Sequence, residues 1–197
     1  MPAKAGGHSS GPFLEKVTQY LLSLPFDLKI LQEAVTDPDL DRHARELAAG
    51  TIIHTLLPQE GEPGPLRYVD DVLFVRAAFS QIISQADEAA NTFRDRFSGE
   101  VYGTLNDDIA TLTAGLGELW PWLTGKLQTF AKLGYKGKKP AEYVDDEETA
   151  SFLYEEGLEF QTNYNVTEEQ VRNKLRRAEQ IVELLNKKRT DELKKKG

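Results

Sequence analysis

Apolar residues recur three or four positions apart along most of this chain, which is the spacing of one face of an α-helix. The longest series runs from about Leu66 to Phe97 and predicts one long helix, with apolar positions at Val72, Val75, Phe79, Ile82, Ala86, Ala89, Phe93 and Phe97. No segment shows the strict alternation of a β-strand. The sequence therefore predicts an all-α fold, an irregular bundle of about six to eight helices with a long central helix.

Prolines and capping residues predict the limits of the first helices. A first helix begins near Pro12, and Pro25 is expected to end it, because proline lacks a backbone N–H and crowds the preceding turn. A short second helix then covers Phe26–Val35. Asp37, followed by a proline, is the predicted N-cap of a third helix that ends at about Leu57.

Similar signals predict the limits of the helices in the second half of the chain. Gly115 and Gly117 are expected to interrupt the helical pattern, with Pro121 opening the next helix, and Pro140 begins a weaker one. The segment Thr167–Gln170 has the pattern of a capping box and predicts the start of the last helix. Beyond Asn186 the chain becomes polar, and we expect that helix to fray there.

Length and charge bear on domain organisation. The 197 residues fit a disordered lead over 1–11, a single helical domain over 12–186 and a polar, basic tail over 187–197. The net charge is −8, which argues against general binding of nucleic acid. Residues 172–197 nevertheless carry ten Lys or Arg against four Asp or Glu, so the rest of the chain is strongly acidic.

Composition excludes several classes of site. The chain has no cysteine, which rules out disulfides, thiolate catalysis and cysteine zinc sites. Arg76 interrupts the most apolar segment, so no run is long enough to span a membrane, and the first residues lack the apolar stretch of a secretory signal. The prediction is a cytoplasmic protein.

Two adjacent carboxylates, Asp70 and Asp71, follow the proline-rich loop Pro58–Pro65 and fall in the first turn of the predicted long helix. There they would complement the positive end of the helix dipole, cap free N–H groups and clamp the loop, which is the favoured interpretation. The alternative is a divalent cation held by Asp70, Asp71, Glu60 and Glu62, either as a bound ion or as the centre of a metal-dependent hydrolase.

A wider pattern surrounds the aspartate pair. The helical segment Ile52–Leu57, the loop Pro58–Pro65 and the acidic, apolar stretch Tyr68–Val75 follow one another within Leu47–Ile83. In this order they resemble the YkvA-like family of small helical domains. The resemblance implies a helical domain core at about 47–83, and it implies no reaction.

His43, Glu46 and His54 share one face of the third predicted helix and suggest a metal site. Metal sites in helical bundles usually need two Glu-x-x-His units with further glutamates on partner helices, and this chain supplies only one His-x-x-Glu in the reverse order. The favoured interpretation is that these residues are solvated or lie at the edge of the core.

The last helix is the predicted partner surface, because an apolar stripe is flanked there by the cations Arg172, Lys174, Arg176, Arg177, Lys187, Lys188 and Arg189. It can pack on the acidic body of its own chain, which is the default, or on another molecule. No catalytic constellation is predicted. The sequence favours a non-catalytic helical module that binds a protein or regulates one, and a second copy of the chain remains open as a partner. The alternatives are the metal-dependent protein and an electrostatic binder of nucleic acid or anionic membrane through this helix.

Overall fold

A computed structural model of the chain describes residues 10–58, 61, 63–84, 95 and 104–197. Within these residues the structure has nine α-helices, two 3₁₀ turns and no β-strand, which confirms the all-α prediction. The helices are α1 (Ser10–Thr36), α2 (Arg42–Leu56), α3 (Val69–Ile83), α4 (Leu105–Leu116), α5 (Leu119–Leu127), α6 (Pro140–Asp145), α7 (Glu147–Asn163), α8 (Glu168–Lys174) and α9 (Ala178–Lys196). The 3₁₀ turns cover Gly64–Tyr68 and Gln128–Lys132. None of the described helices combines the length and the apolar character needed to cross a bilayer.

Helix α1 continues through Pro25, so the predicted break there is wrong. A proline inside a helix leaves the carbonyl four residues earlier without its usual N–H donor. Here that carbonyl belongs to Leu21, and the Tyr164 hydroxyl donates to it at 2.5 Å. A distant side chain thus replaces the missing backbone donor, and Phe26–Val35 is the second half of α1.

The start of α2 also differs from the prediction. Asp41 is its N-cap, with the carboxylate accepting from the Ala44 N–H at 2.7 Å. Asp37 instead accepts from the Asp39 N–H within the preceding turn. The predicted end of this helix, at about Leu57, is confirmed.

Helix α3 lies at the centre of the core and is shorter than the predicted long helix. It begins at Val69, directly after the 3₁₀ turn, and ends at Ile83 with Ser84 as its C-cap. Its residues are buried from Val69 to Phe79 without interruption, because α1, α2, α4 and α5 all pack against it. The second half of the prediction, to Phe97, falls mostly outside the described residues.

Close packing of α2 on the second 3₁₀ turn depends on Gly50. A Cβ atom at this position would lie 2.7 Å from the backbone oxygen of Phe130, closer than van der Waals contact permits. The close approach brings the last turn of α2, with His54, against the Phe130 ring.

The second half of the chain confirms some predicted signals and corrects others. Gly117 ends α4 with φ 55°, whereas α4 continues through Gly115, and Thr167 and Gln170 form the predicted capping box. The predicted last helix is divided into α8 and α9, with the chain extended at Leu175 and Arg177. Helix α9 continues to Lys196, so the expected fraying after Asn186 is wrong.

Candidate functional site

The two aspartates of the first turn of α3 are buried, as Asp70 is 4% exposed and Asp71 is 1% exposed. Their place in the first turn confirms the sequence prediction. Asp71 Oδ1 lies 2.8 Å from His54 Nδ1 at the end of α2. Asp70 Oδ1 lies 2.7 Å from Lys188 Nζ on α9. The pair therefore connects the first turn of α3 to two other helices.

The environment of Asp71 is poorly suited to a charged group. His54 stacks on the Phe130 ring at 4.6 Å between centroids and meets the edge of Phe74 at 4.9 Å. Burial and the neighbouring Asp70 charge raise the pKa of Asp71 to about 6, although His54 and Lys188 lower it. A carboxylate–imidazole pair orients the general base of many hydrolases. Here the imidazole packs against two aromatic rings, and its contact with Asp71 joins the end of α2 to the first turn of α3.

The metal-site hypothesis depends on residues that the structure leaves out. Glu60 and Glu62 lie outside the described residues, and the predicted clamping of the loop by Asp70 and Asp71 involves the same segment. Among the residues that are described, no group of three or more His, Asp or Glu side chains is arranged to hold a metal ion. The cation site at Asp70 and Asp71 therefore stays a prediction.

The three residues that suggested a second metal site do not form a group that could hold a metal ion. His43 is exposed on α2, whereas His54 is committed to Asp71 at the other end of the same helix. Glu46 accepts from Arg42 Nε at 2.7 Å. These contacts agree with the favoured interpretation of solvated and core-edge residues.

The cations of the predicted basic surface fall into two groups. Some contact carboxylates of the same chain, and the others make no ion pair with a described residue. Helix α9 packs on α1 and α5 of its own chain, and it buries Ala178, Ile181 and Leu185. Lys188 contacts Asp70, and Arg172 makes ion pairs with Glu15 at 3.1 Å and Glu168 at 2.9 Å. No ion pair among the described residues involves the remaining predicted cations, Lys174, Arg176, Arg177, Lys187 and Arg189.

A groove of about 480 Å³ lies between the first 3₁₀ turn and the region where α7 gives way to α8. We call it the polar groove. Its cations are Arg67 and Lys174, and neither makes an ion pair with a described residue. Four amide side chains share its lining, from Asn163, Asn165, Gln170 and Asn173, together with the less polar Gly64, Pro65, Tyr68 and Val166. None of the residues described as lining it is acidic.

Tertiary contacts set the shape of the polar groove. The Tyr68 ring packs on Tyr164 at 5.1 Å and on Phe160 at 5.8 Å, which connects the 3₁₀ turn to the end of α7. The Arg67 guanidinium lies 5.0 Å from the centre of the Tyr68 ring. Gln170 uses its side-chain oxygen to accept from the Thr167 N–H at 3.1 Å, so its NH₂ group remains available as a donor.

Sequence reasoning identified Lys174 but missed Arg67 and the four amides. Arg67 is separated from Lys174 by about a hundred residues, and asparagines in turns ordinarily serve the backbone, so no spacing pointed to a shared surface. The pairing of His54 with Asp71 was missed for the same reason. The only local signal of the groove was that Arg67 and Tyr68 lie close to the aspartate pair in the sequence.

Comparisons of this chain with family models, with curated proteins and with solved structures found no match. The resemblance of 47–83 to the YkvA-like family therefore stays a prediction.

Proposed function

We propose that this protein is a non-catalytic helical interaction module that binds an extended, acidic segment of a partner protein in the polar groove. The observation that carries the proposal is the lining of the groove, where two cations that make no ion pair with a described residue meet four amide side chains and no described carboxylate. The groove also extends from the end of the proline-rich loop to Lys174, one of the cations of the partner surface that the sequence predicted.

The distribution of charge over the chain supports an acidic ligand for the polar groove. The chain has 32 Asp and Glu against 24 Lys and Arg, so most of its surface repels a negatively charged segment. Arg67 and Lys174 provide a local exception. An acidic segment would be attracted there and repelled elsewhere, which gives orientation as well as affinity.

The amides support an extended backbone as the ligand. Each Asn or Gln side chain offers both a carbonyl acceptor and an NH₂ donor. An extended peptide presents unpaired N–H and C=O groups along both edges, and amide side chains can satisfy them without regard to sequence. Tyr68, Pro65 and Val166 add less polar surface on which side chains of the segment can pack.

The volume fits a short segment. About 480 Å³ lies within the range of about 300–1,000 Å³ that is usual for small-ligand sites. The groove is therefore suited to a few residues of a partner and not to a folded domain, which would need a larger buried area.

The proposal can be tested by phage display. A random peptide library is selected against the purified full chain. We expect enrichment of peptides rich in Asp and Glu. Fluorescence anisotropy with a labelled selected peptide then measures affinity. The double variant Arg67→Glu/Lys174→Glu should bind at least about tenfold more weakly, because two attractive charges become repulsive.

Lys194→Glu/Lys195→Glu is the matched control, since both lysines are exposed near the end of α9 and do not line the groove, and their replacement reverses the same number of charges. It should leave the affinity unchanged. Duplex DNA and phosphatidylserine vesicles are measured in parallel as probes of the electrostatic alternative. Enrichment without acidic bias, equal binding by the Arg67/Lys174 variant, or tighter binding to either of those probes would overturn the proposal.

A further inference from the structure

A second hollow lies between α2, α6 and α7 and has a volume of about 530 Å³. We call it the acidic hollow. Its lining combines the apolar groups of Val144, Ala150 and Tyr154 with the carboxylates of Asp145, Glu147 and Glu155. It shares no lining residue with the polar groove.

The charges of the acidic hollow are only partly balanced within the chain. Asp145 makes a bidentate ion pair with Arg42, with both nitrogen–oxygen distances at 2.6 Å. Arg45, the cation among the described lining residues, donates to the carbonyl oxygens of Val35 and Val144. Glu147 and Glu155 are exposed and make no ion pair with a described residue. Two carboxylates thus remain available to an external cation.

Near the end of α9, Leu193 is 65% exposed, more than any other large hydrophobic side chain that is described. Helical spacing places Arg189 one turn before it and Lys196 one turn after it on the same face. No described carboxylate pairs with either cation. We call these three residues the Leu193 face.

We propose that this protein associates with a second copy of itself by placing the Leu193 face of one molecule in the acidic hollow of the other. Leu193 would cover the apolar lining, while Arg189 and Lys196 would approach Glu147 and Glu155. Each chain carries both surfaces, so two copies can exchange them reciprocally around a two-fold axis.

The distribution of exposed hydrophobic side chains supports this pairing. Five large hydrophobic residues are described as exposed, and two of them belong to the proposed surfaces, Tyr154 in the lining of the acidic hollow and Leu193 on the Leu193 face. Phe152 and Leu158 lie on α7 outside that lining. Helix α7 contains five glutamates and no Lys or Arg, whereas the last turn of α9 is basic. Exposed apolar groups on oppositely charged helices are typical of paired surfaces.

Sedimentation velocity over a range of protein and salt concentrations tests the proposal. The unmodified chain should associate at low salt and dissociate as salt is added. Glu147→Lys/Glu155→Lys and Arg189→Glu/Lys196→Glu should each associate at least about tenfold more weakly, because like charges would face each other. Leu193→Ser should weaken association as well. Mixing the two double variants in equal amounts should restore it, since both contacts in the mixed pair are again attractive.

Asp39→Lys/Glu118→Lys is the control for net charge, as both residues are exposed and lie outside the hollow. It should associate like the unmodified chain. The proposal is overturned if the unmodified chain remains monomeric up to about 1 mM, if the double variants still associate, or if their mixture does not. None of these variants changes the polar groove, so peptide binding there should persist, and the two proposals can fail separately.

Discussion

Asp27 on α1 and Arg76 on α3 form an ion pair inside the core. Asp27 Oδ2 accepts from Arg76 Nη2 at 2.8 Å and from the Ser23 hydroxyl at 2.9 Å. The Arg76 guanidinium also lies over the Tyr20 ring at 4.2 Å. Burial raises the pKa of Asp27 from an ordinary 3.8 to about 6, and it outweighs the lowering effects of Arg76 and Ser23. Ionised Asp27 therefore costs the folded state free energy that protonated Asp27 does not.

The Asp27 pKa predicts how stability depends on pH. A carboxyl whose pKa is higher in the folded state stabilises it fully below about pH 4, and this contribution is lost as the pH rises through about 6. Asparagine cannot ionise. Between about pH 3.5 and pH 7, the unfolding free energy of Asp27→Asn should therefore rise by about 3 kcal/mol relative to the unmodified chain.

Urea unfolding at the two pH values measures this difference. Asp39→Asn serves as the control, because Asp39 is exposed, and its difference from the unmodified chain should stay nearly constant. An Asp27→Asn difference that also stays constant with pH would show that Asp27 is ionised as readily in the core as in the unfolded chain.

At the scale of the element, α1 shows how a helix can contain a proline. Its 27 residues include Pro25, and the Leu21 carbonyl that Pro25 leaves without a donor receives the Tyr164 hydroxyl. Tyr164 also packs against Tyr68, so the same ring that completes α1 helps to shape the polar groove. The helix therefore depends on the segment that joins α7 to α8.

Tyr164→Phe should reduce the unfolding free energy by about 1–3 kcal/mol, because it leaves the buried Leu21 carbonyl unsatisfied. Pro25→Ala restores a backbone N–H for the same carbonyl. In the double variant Pro25→Ala/Tyr164→Phe the loss caused by Tyr164→Phe should shrink to below about 1 kcal/mol. Chemical unfolding of the four proteins gives this coupling, and additive effects would mean that the hydroxyl does not replace the missing donor.

At the scale of the whole molecule, the basic last helix belongs to the core. Leu185 is fully buried where α9 packs on the body, and Lys188 contacts the buried Asp70. The aspartate pair joins α3 to the preceding helix α2 through His54 and to the distant helix α9 through Lys188, so polar contacts at one turn of α3 connect three helices. We expect α9 to unfold together with the rest of the protein.

Leu185→Ala should therefore destabilise the whole protein by about 2–5 kcal/mol, the usual effect of removing a fully buried leucine side chain. Leu193→Ala is the matched control on the same helix, and in dilute solution it should change the unfolding free energy by no more than about 0.5 kcal/mol. Thermal unfolding followed by circular dichroism compares them. A separate early transition that carries only the loss of α9 would show that this helix is not part of the cooperative unit.

Several features of the protein follow from local physics and were predicted from the sequence alone. The helical class rests on apolar spacing, the capping box of Thr167 and Gln170 on side chains three residues apart, and the end of α4 on the left-handed conformation that Gly117 adopts readily. The position of Asp70 and Asp71 in a first turn has the same origin. Each of these signals involves only neighbours along the chain, so no knowledge of the fold was needed.

The tertiary structure decided the rest, because the deciding partners are distant in sequence. Pro25 does not end α1, since a hydroxyl 143 residues beyond Leu21 replaces the missing donor. Asp71 contacts His54, Asp70 contacts Lys188, and the polar groove brings Arg67 beside Lys174 only after the helices have packed. Side chains that pair across the fold leave no periodic pattern in the sequence, so the described contacts of the aspartates and the composition of the groove could be found only in the folded chain.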